Sequence, residues 1–121
     1  MVERGSARSA ALLVVVLLLV AACGGPAQPV EVTIGTPANS DEVFVPASAS
    51  VPTGRTVRLE FVNSSDVQHN LSFDAPIDAA TADSVEPGAS DELEFTAPAP
   101  GDYEFFCTIH PGMAGTLTVT P

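Results

Sequence analysis

The stretch that decides the fold is YEFFCTIHPGMAGTLTV, residues 103–119. Phe105 and Cys107 occupy alternate positions in its first half, so both point to one face of a predicted strand. That face is apolar, which directs Cys107 inward at the end of the strand. His110 and Met113 lie on the loop that follows. Three side chains that can bind soft or borderline metal ions therefore fall within seven residues at a strand–loop–strand corner.

Short β-rich segments separated by turn residues continue through the chain from Val30 onward, and no window shows helical periodicity. Pro46 interrupts one segment because proline cannot donate to a ladder. Residues 74–90 are rich in Ala, Asp and Pro and predict a loop, with a helical turn around residues 79–82. The spacing predicts one all-β domain, a β-sandwich of seven to eight strands. The predicted strands are 30–35, 42–51 (one interrupted strand or two), 55–63, 69–73, 91–97, 102–108 and 115–120.

The apolar positions of these strands predict one core, adequate for a domain of this size. In the strand at 55–63, for example, Leu59 and Phe61 face one way and Arg58 and Glu60 face the other. The predicted core residues are Val32, Ile34, Val57, Leu59, Phe61, Leu71, Phe73, Leu93, Phe95, Tyr103, Phe105, Leu117 and Val119.

The N-terminus is typical of an exported protein. Residues 1–22 combine Arg4 and Arg8 with an uncharged apolar run, which is too short to span a bilayer and suits a signal peptide. The run ends in VAAC, which resembles a bacterial lipobox and predicts that Cys23 is lipid-modified. A linker at 23–30 would then hold a domain at 31–121 close to the outer face of the cell membrane, towards the periplasm or cell exterior. The alternative is ordinary cleavage near Ala22, with Cys23 left as a free thiol.

Charge and cysteine content limit the function further. The formal net charge is -11, with four Lys+Arg, all of them Arg, against 15 Asp+Glu. This disfavours nucleic-acid binding, which needs a basic surface. The acidity would attract partners with a basic face, or it would reflect a saline habitat. With Cys23 lipidated, Cys107 is the only thiol of the domain, so an internal disulfide is impossible.

A fourth metal ligand has to come from another segment, and the chain has only two His residues. The second is His69, 38 positions before Cys107, at the start of the segment HNLSF. One thiolate, two imidazoles and a thioether form the ligand set of blue-copper sites. Each residue has a simpler interpretation: a packed strand histidine, an inert buried thiol and a packing methionine. Zinc is a further alternative, but one thiolate with a thioether is not a usual structural zinc set.

Residues 42–121 resemble the cupredoxins, the small blue copper proteins. The resemblance rests on VQHNLSF with His69, on GDYEFFCTIH with Cys107 and His110, and on Met113 three positions later. The short spacing from Cys to His to Met is similar to that of amicyanin, and the acidic, tethered chain resembles the halocyanins. The resemblance implies a Greek-key sandwich with one type 1 copper ion. It also implies a monomeric electron carrier whose redox partner is a cytochrome, an oxidase or a dehydrogenase.

The same resemblance implies roles for residues around the ligands. Asn70 would bridge the two ligand loops by bonding Thr108, and its N–H would point at the Cys107 sulfur. Ile109 stands where amicyanin has Pro, so we expect its N–H to donate a second hydrogen bond to that sulfur and raise the potential. The electron-transfer surface would be formed by His110, Pro111 and Phe106, although the 74–90 loop could simply cover Phe106.

Two other functions are less consistent with the sequence. A copper storage or delivery module usually exposes Met-rich sites, and this chain has two Met including Met1. A copper enzyme needs further His ligands, but His69 and His110 would both be used by one site. An inward Cys107 is a poor nucleophile. The sequence therefore predicts an electron carrier and no enzyme.

Overall fold

Eight strands form two β-sheets in the computed structural model, which describes residues 27–121. None of these residues forms a helix that could cross a membrane. The predicted signal peptide (1–22) and Cys23 lie outside the described residues. The strands are β1 (Val30–Gly35), β2 (Ser48–Pro52), β3 (Thr56–Val62), β4 (Ser72–Phe73), β5 (Ala79–Ala80), β6 (Ser90–Thr96), β7 (Gly101–Phe106) and β8 (Ala114–Thr120).

The smaller sheet has the order β1-β3-β6 and the larger one the order β2-β8-β7-β4-β5. β1 pairs with β3 and β2 with β8 in parallel, whereas the remaining pairs are antiparallel. The chain passes from one sheet to the other at Pro46. Val45 pairs with Gly35, the last residue of β1 in the smaller sheet, whereas the Ala47 carbonyl accepts a hydrogen bond from the Thr116 N–H on β8 in the larger sheet. Because proline donates no hydrogen bond, it suits this crossing point. The predicted all-β sandwich is confirmed.

Side chains from both sheets meet in one core. Phe44 packs edge to face on Phe61 of the smaller sheet and on Phe105 of the larger one, with ring centroids 6.1 and 5.1 Å apart. Eleven of the thirteen predicted core residues are buried, whereas Val32 and Tyr103 are only partly buried. Tyr103 stays near the surface because its hydroxyl donates to the Ala99 carbonyl at 2.6 Å. Two sheets closed over an aromatic core give the loops at one end a rigid base.

The segment 74–90 differs from its prediction. The expected helical turn at 79–82 is wrong, because Ala79–Ala80 forms the edge strand β5 and pairs with β4. The Thr81 N–H donates to the Leu71 carbonyl, and the Leu71 N–H donates to Thr81 Oγ1. A single helical turn is unstable alone, and pairing with an existing strand satisfies the same backbone groups.

Candidate metal centre

Cys107 lies one residue beyond β7 and continues the inward alternation of Phe105, so both side chains are buried. The loop that follows closes on itself: the Cys107 N–H donates to the Met113 carbonyl at 3.0 Å, and the Met113 N–H to the His110 carbonyl at 3.2 Å. Gly112 has φ 87°, a left-handed conformation that glycine adopts without strain. This turn leaves Met113 2% exposed and brings His110 back over Cys107.

His69 reaches the same point from the neighbouring part of the larger sheet, since β4 pairs with β7. It precedes β4, is fully buried, and exchanges two backbone hydrogen bonds with Val85. Its Nδ1 lies 4.0 Å from Cys107 Sγ, and the His110 Nδ1 lies 3.6 Å from the same sulfur. The structure therefore brings together two ligand-bearing segments that lie 38 positions apart in sequence.

The geometry fits one small metal ion. Nitrogen and sulfur ligands that share an ion at about 2.0–2.3 Å lie roughly 3.3–4 Å from one another. The distances from the Cys107 sulfur to the two imidazole nitrogens fall in this range. His69, Cys107 and His110 each place one donor atom within 4.8 Å of the donor atoms of the other two. Met113 is buried on the same loop, so a thioether is available as a fourth, weaker donor.

The imidazole of His69 is adapted to remain neutral. Burial, followed by the proximity of His110, lowers the pKa of His69 below its ordinary value of 6.5, and the nearby Glu42 opposes this only in part. Among residues 27–121, His69 Nε2 has no hydrogen-bond partner. A neutral ring keeps a lone pair free for a metal.

We expect the metal-free protein to lose stability as the pH falls below about 6.5, the ordinary pKa of histidine. The unfolded chain binds a proton at His69 there, whereas the folded chain, with its lower pKa, does not. Protonation therefore favours unfolding over that interval. Urea denaturation of the metal-free protein at several pH values measures the effect. A His69→Gln variant should show a weaker dependence, and identical slopes for the two proteins would contradict the explanation.

Asn70 connects the two ligand-bearing segments. Its N–H donates to Cys107 Sγ at 3.5 Å, and its Nδ2 donates to Thr108 Oγ1 at 2.6 Å and to the Asp83 carbonyl at 2.8 Å. Its Oδ1 accepts from the Thr108 N–H at 2.8 Å. Such contacts orient ligands and restrict the movement of the sulfur.

Ile109 does not make the contact expected from the sequence. Within the described part of the chain, the Asn70 N–H is the one backbone donor to the Cys107 sulfur, and no hydrogen bond from the Ile109 N–H to it is present. Ile109 lies on the outer side of the loop and is 39% exposed. The loop is closed instead by the hydrogen bonds of Cys107 and Met113.

His110 is the ligand candidate nearest to solvent, with 18% of its side chain exposed. Its Nε2 lies 3.8 Å from Glu42 Oε1. It also borders a groove of about 450 Å³ together with Val67, Pro87 and Ile109. Pro111 is exposed and Phe106 is half-buried. Sequence reasoning missed Glu42, because nothing in its local pattern links it to a histidine 68 positions away.

Comparison with known proteins identifies the family. Residues 9–119 match the family described as cupredoxin-like domain. Auracyanin-B of Chloroflexus aurantiacus is 33% identical over 79% of this chain and 54% of its own length. Plastocyanin of Dryopteris crassirhizoma is 37% identical over 63% of this chain and 86% of its own. The chain thus spans about half the length of auracyanin-B.

Solved structures agree with this assignment. Dithionite-reduced auracyanin from Roseiflexus castenholzii is 29% identical, with a TM-score of 0.66 over 78% of this chain and 100% of that one. The chain belongs to the cupredoxin-like family.

Proposed function

We propose that this protein is a one-electron carrier that binds a single copper ion through His69, Cys107, His110 and Met113. The observation that carries the proposal is the convergence of two imidazoles on a buried thiol, at 3.6 and 4.0 Å from its sulfur. Thiolate with two imidazoles and a weak thioether is the ligand set of blue-copper electron-transfer sites. The relatives named as auracyanin and plastocyanin support the same function.

The ligand residues would have distinct roles. The Cys107 thiolate and the two imidazoles would provide the strong donors, and the Met113 thioether a weak fourth one. Copper, when bound, supplies the exchange of one electron between Cu(I) and Cu(II). The protein holds its donors rigidly through the Asn70 contacts and the closed loop, and it keeps water away by burying three of them. His110, the least buried ligand, offers the shortest route to a partner.

We also propose that the partner carries a basic face. Among residues 27–121, Arg58 already contacts Glu31, Glu92 and Glu94, and Arg55 donates to the Gln28 carbonyl. The remaining surface acids therefore stay unneutralised and would attract a positively charged redox protein, most strongly at low salt. A cytochrome, an oxidase or a dehydrogenase would fit. Lipidation of Cys23 would keep a monomeric domain at the outer face of the membrane; mass spectrometry of the exported protein tests this.

The visible and EPR spectra of the Cu(II)-loaded protein, followed by a redox titration, test the carrier function. We expect intense visible absorption and reversible one-electron cycling. Absence of the absorption would remove the blue-copper proposal. Storage or delivery of copper would instead be indicated by rapid transfer of Cu(I) to a chelator, which the burial of Cys107 and His69 disfavours.

We expect Glu42→Gln to raise the reduction potential. The Glu42 carboxylate lies 3.8 Å from His110 Nε2, and a negative charge there favours the more positive Cu(II) form. The shift should be up to about 60 mV, one tenfold change for a one-electron couple. It should shrink at high salt, because half of the Glu42 side chain is exposed. Glu60→Gln, on the outer face of the smaller sheet, makes the same charge change elsewhere. Equal shifts in the two variants would contradict a specific role for Glu42.

A further inference from the structure

Asn63 is a fully buried amide directly after β3, and electron transfer by itself requires nothing of it. Every polar atom of the residue is used. Its Nδ2 donates to the Val67 and Val85 carbonyls, both at 2.8 Å. Its Oδ1 accepts from Thr36 Oγ1 at 3.2 Å and from the N–H and hydroxyl of Ser65 at 3.0 and 2.8 Å. A buried amide satisfied this completely has one permitted position.

The two carbonyls that Asn63 holds lie on either side of His69. Val67 is two residues before it on the same loop. Val85 is its backbone partner: the Val85 carbonyl accepts from the His69 N–H at 3.3 Å as well as from Asn63, and the Val85 N–H donates to the His69 carbonyl at 2.8 Å. Asn63 therefore fixes the loop that leads to His69 and also Val85, the residue that pairs with the His69 backbone.

The His69 ring lacks the usual means of orientation. Metal-binding histidines normally donate their second ring N–H to an acceptor, which fixes the plane of the ring. His69 Nε2 has no such partner within residues 27–121. The ring can be oriented only by packing and by its own main chain. The main chain is the part that Asn63 holds.

Two amides hold the segment facing His69 from opposite ends. Asn63 bonds the Val85 carbonyl, and Asn70 bonds the Asp83 carbonyl at 2.8 Å. Asn70 also contacts the Cys107 sulfur and Thr108, so it belongs to the cysteine side of the site. Asn63 makes no contact with that side and acts on the histidine side alone.

We propose that Asn63 is a positioning residue of the metal site, which fixes the distance and direction of His69 through the Val67 and Val85 carbonyls. The inference rests on the proposed copper-binding function. An apolar residue would leave both carbonyls without this donor, and a carboxylate would place oxygen against oxygen. Loss of the amide should therefore release His69 more than it releases Cys107.

Asn63→Asp tests the proposal, since it keeps the size and the acceptor oxygen and removes both Nδ2 donors. Thr36→Val is the matched control: Thr36 is 6% exposed and contacts Asn63 Oδ1, but it does not touch the Val67 or Val85 carbonyls. In the metal-free proteins, amide hydrogen exchange at His69 and Val85 should accelerate in Asn63→Asp relative to the β3 and β6 amides. Thr36→Val should leave the ratio of the exchange rates at His69 and Val85 to those of the β3 and β6 amides unchanged.

The copper-loaded proteins provide the second measurement. Asn63→Asp should weaken copper binding by about 10- to 100-fold and alter the EPR spectrum, whereas Thr36→Val should do neither. An Asn63→Asp protein that is less stable but has an unchanged exchange ratio and EPR spectrum would reduce Asn63 to a purely structural residue and overturn the proposal. If that variant does not fold, Asn63→Ser, whose single hydroxyl can donate to at most one of the two carbonyls, provides a second loss of the same contacts, and the same two readouts decide.

Failure of the copper function is distinguishable from failure of the inference. A wild-type protein without intense visible absorption would remove the proposed function. The hydrogen-exchange measurement on the metal-free proteins would still report whether Asn63 holds the main chain of His69.

Discussion

Replacing Cys107 with Ser should abolish the intense visible absorption of the copper-loaded protein. The colour of such a site comes from the bond between copper and a thiolate, and a hydroxyl is a hard donor that does not replace it. Cys107 is 4% exposed and lies between the two imidazoles, so another donor cannot take its place. Copper affinity should fall by more than roughly 10- to 100-fold, which is the typical loss when a residue that hydrogen-bonds a metal ligand is changed.

The fold should survive this replacement. Serine is slightly smaller than cysteine, and its hydroxyl can still accept from the Asn70 N–H that now meets the sulfur. Met113→Leu is a useful control on the same loop, because it removes the proposed weak thioether donor at nearly constant volume. It should keep a blue colour with an altered potential. A Cys107→Ser protein that retained the absorption would exclude Cys107 as the copper ligand.

The sequence predicted the parts of the structure that depend on local alternation. The period of two in 102–108 directs Phe105 and Cys107 inward, and the structure buries both. The neighbouring strand 115–120 appears as β8 (Ala114–Thr120) for the same reason. His69 was predicted because the chain has only two His residues, and the resemblance to cupredoxins supported it, since no spacing rule alone connects it to a cysteine 38 positions away. It lies on the same site because β4 pairs with β7.

The features that the sequence did not predict depend on contacts between segments that are distant along the chain. Phe44 was not predicted as a core residue, because Pro46 interrupts the predicted strand 42–51 that contains it, yet its ring packs against Phe61 and Phe105 between the two sheets. Ala79–Ala80 was assigned to a helical turn from its composition, although the free edge of β4 determines its conformation. Asn63 is the last residue of the predicted strand 55–63, and only the folded chain shows the five hydrogen bonds of its side chain.

Gly115→Ala should destabilise the metal-free protein by about 3 kcal/mol, the upper part of the range for overpacking a core. Gly115 is buried on β8 directly opposite Phe105 of β7. A Cβ atom there would overlap the Phe105 ring and lie 2.7 Å from the Ala47 carbonyl oxygen. The Phe105 ring cannot move aside easily, since it packs edge to face on Phe44 and Phe73 at 5.1 and 5.7 Å. The Ala47 oxygen is held by the Thr116 N–H.

Urea denaturation of Gly115→Ala and Gly54→Ala separates this steric effect from the loss of backbone freedom. A Cβ at Gly54 meets nothing within 4 Å, but the residue has φ 75°, so alanine there should cost about 1 kcal/mol through strain alone. A smaller loss in Gly115→Ala than in Gly54→Ala would mean that the Phe105 ring yields to the new methyl group. Adding Phe105→Leu to Gly115→Ala should produce less destabilisation than the sum of the two single changes, because leucine removes the ring that the methyl group overlaps. Strict additivity would show that the Ala47 carbonyl, and not the ring, is what excludes a side chain at position 115.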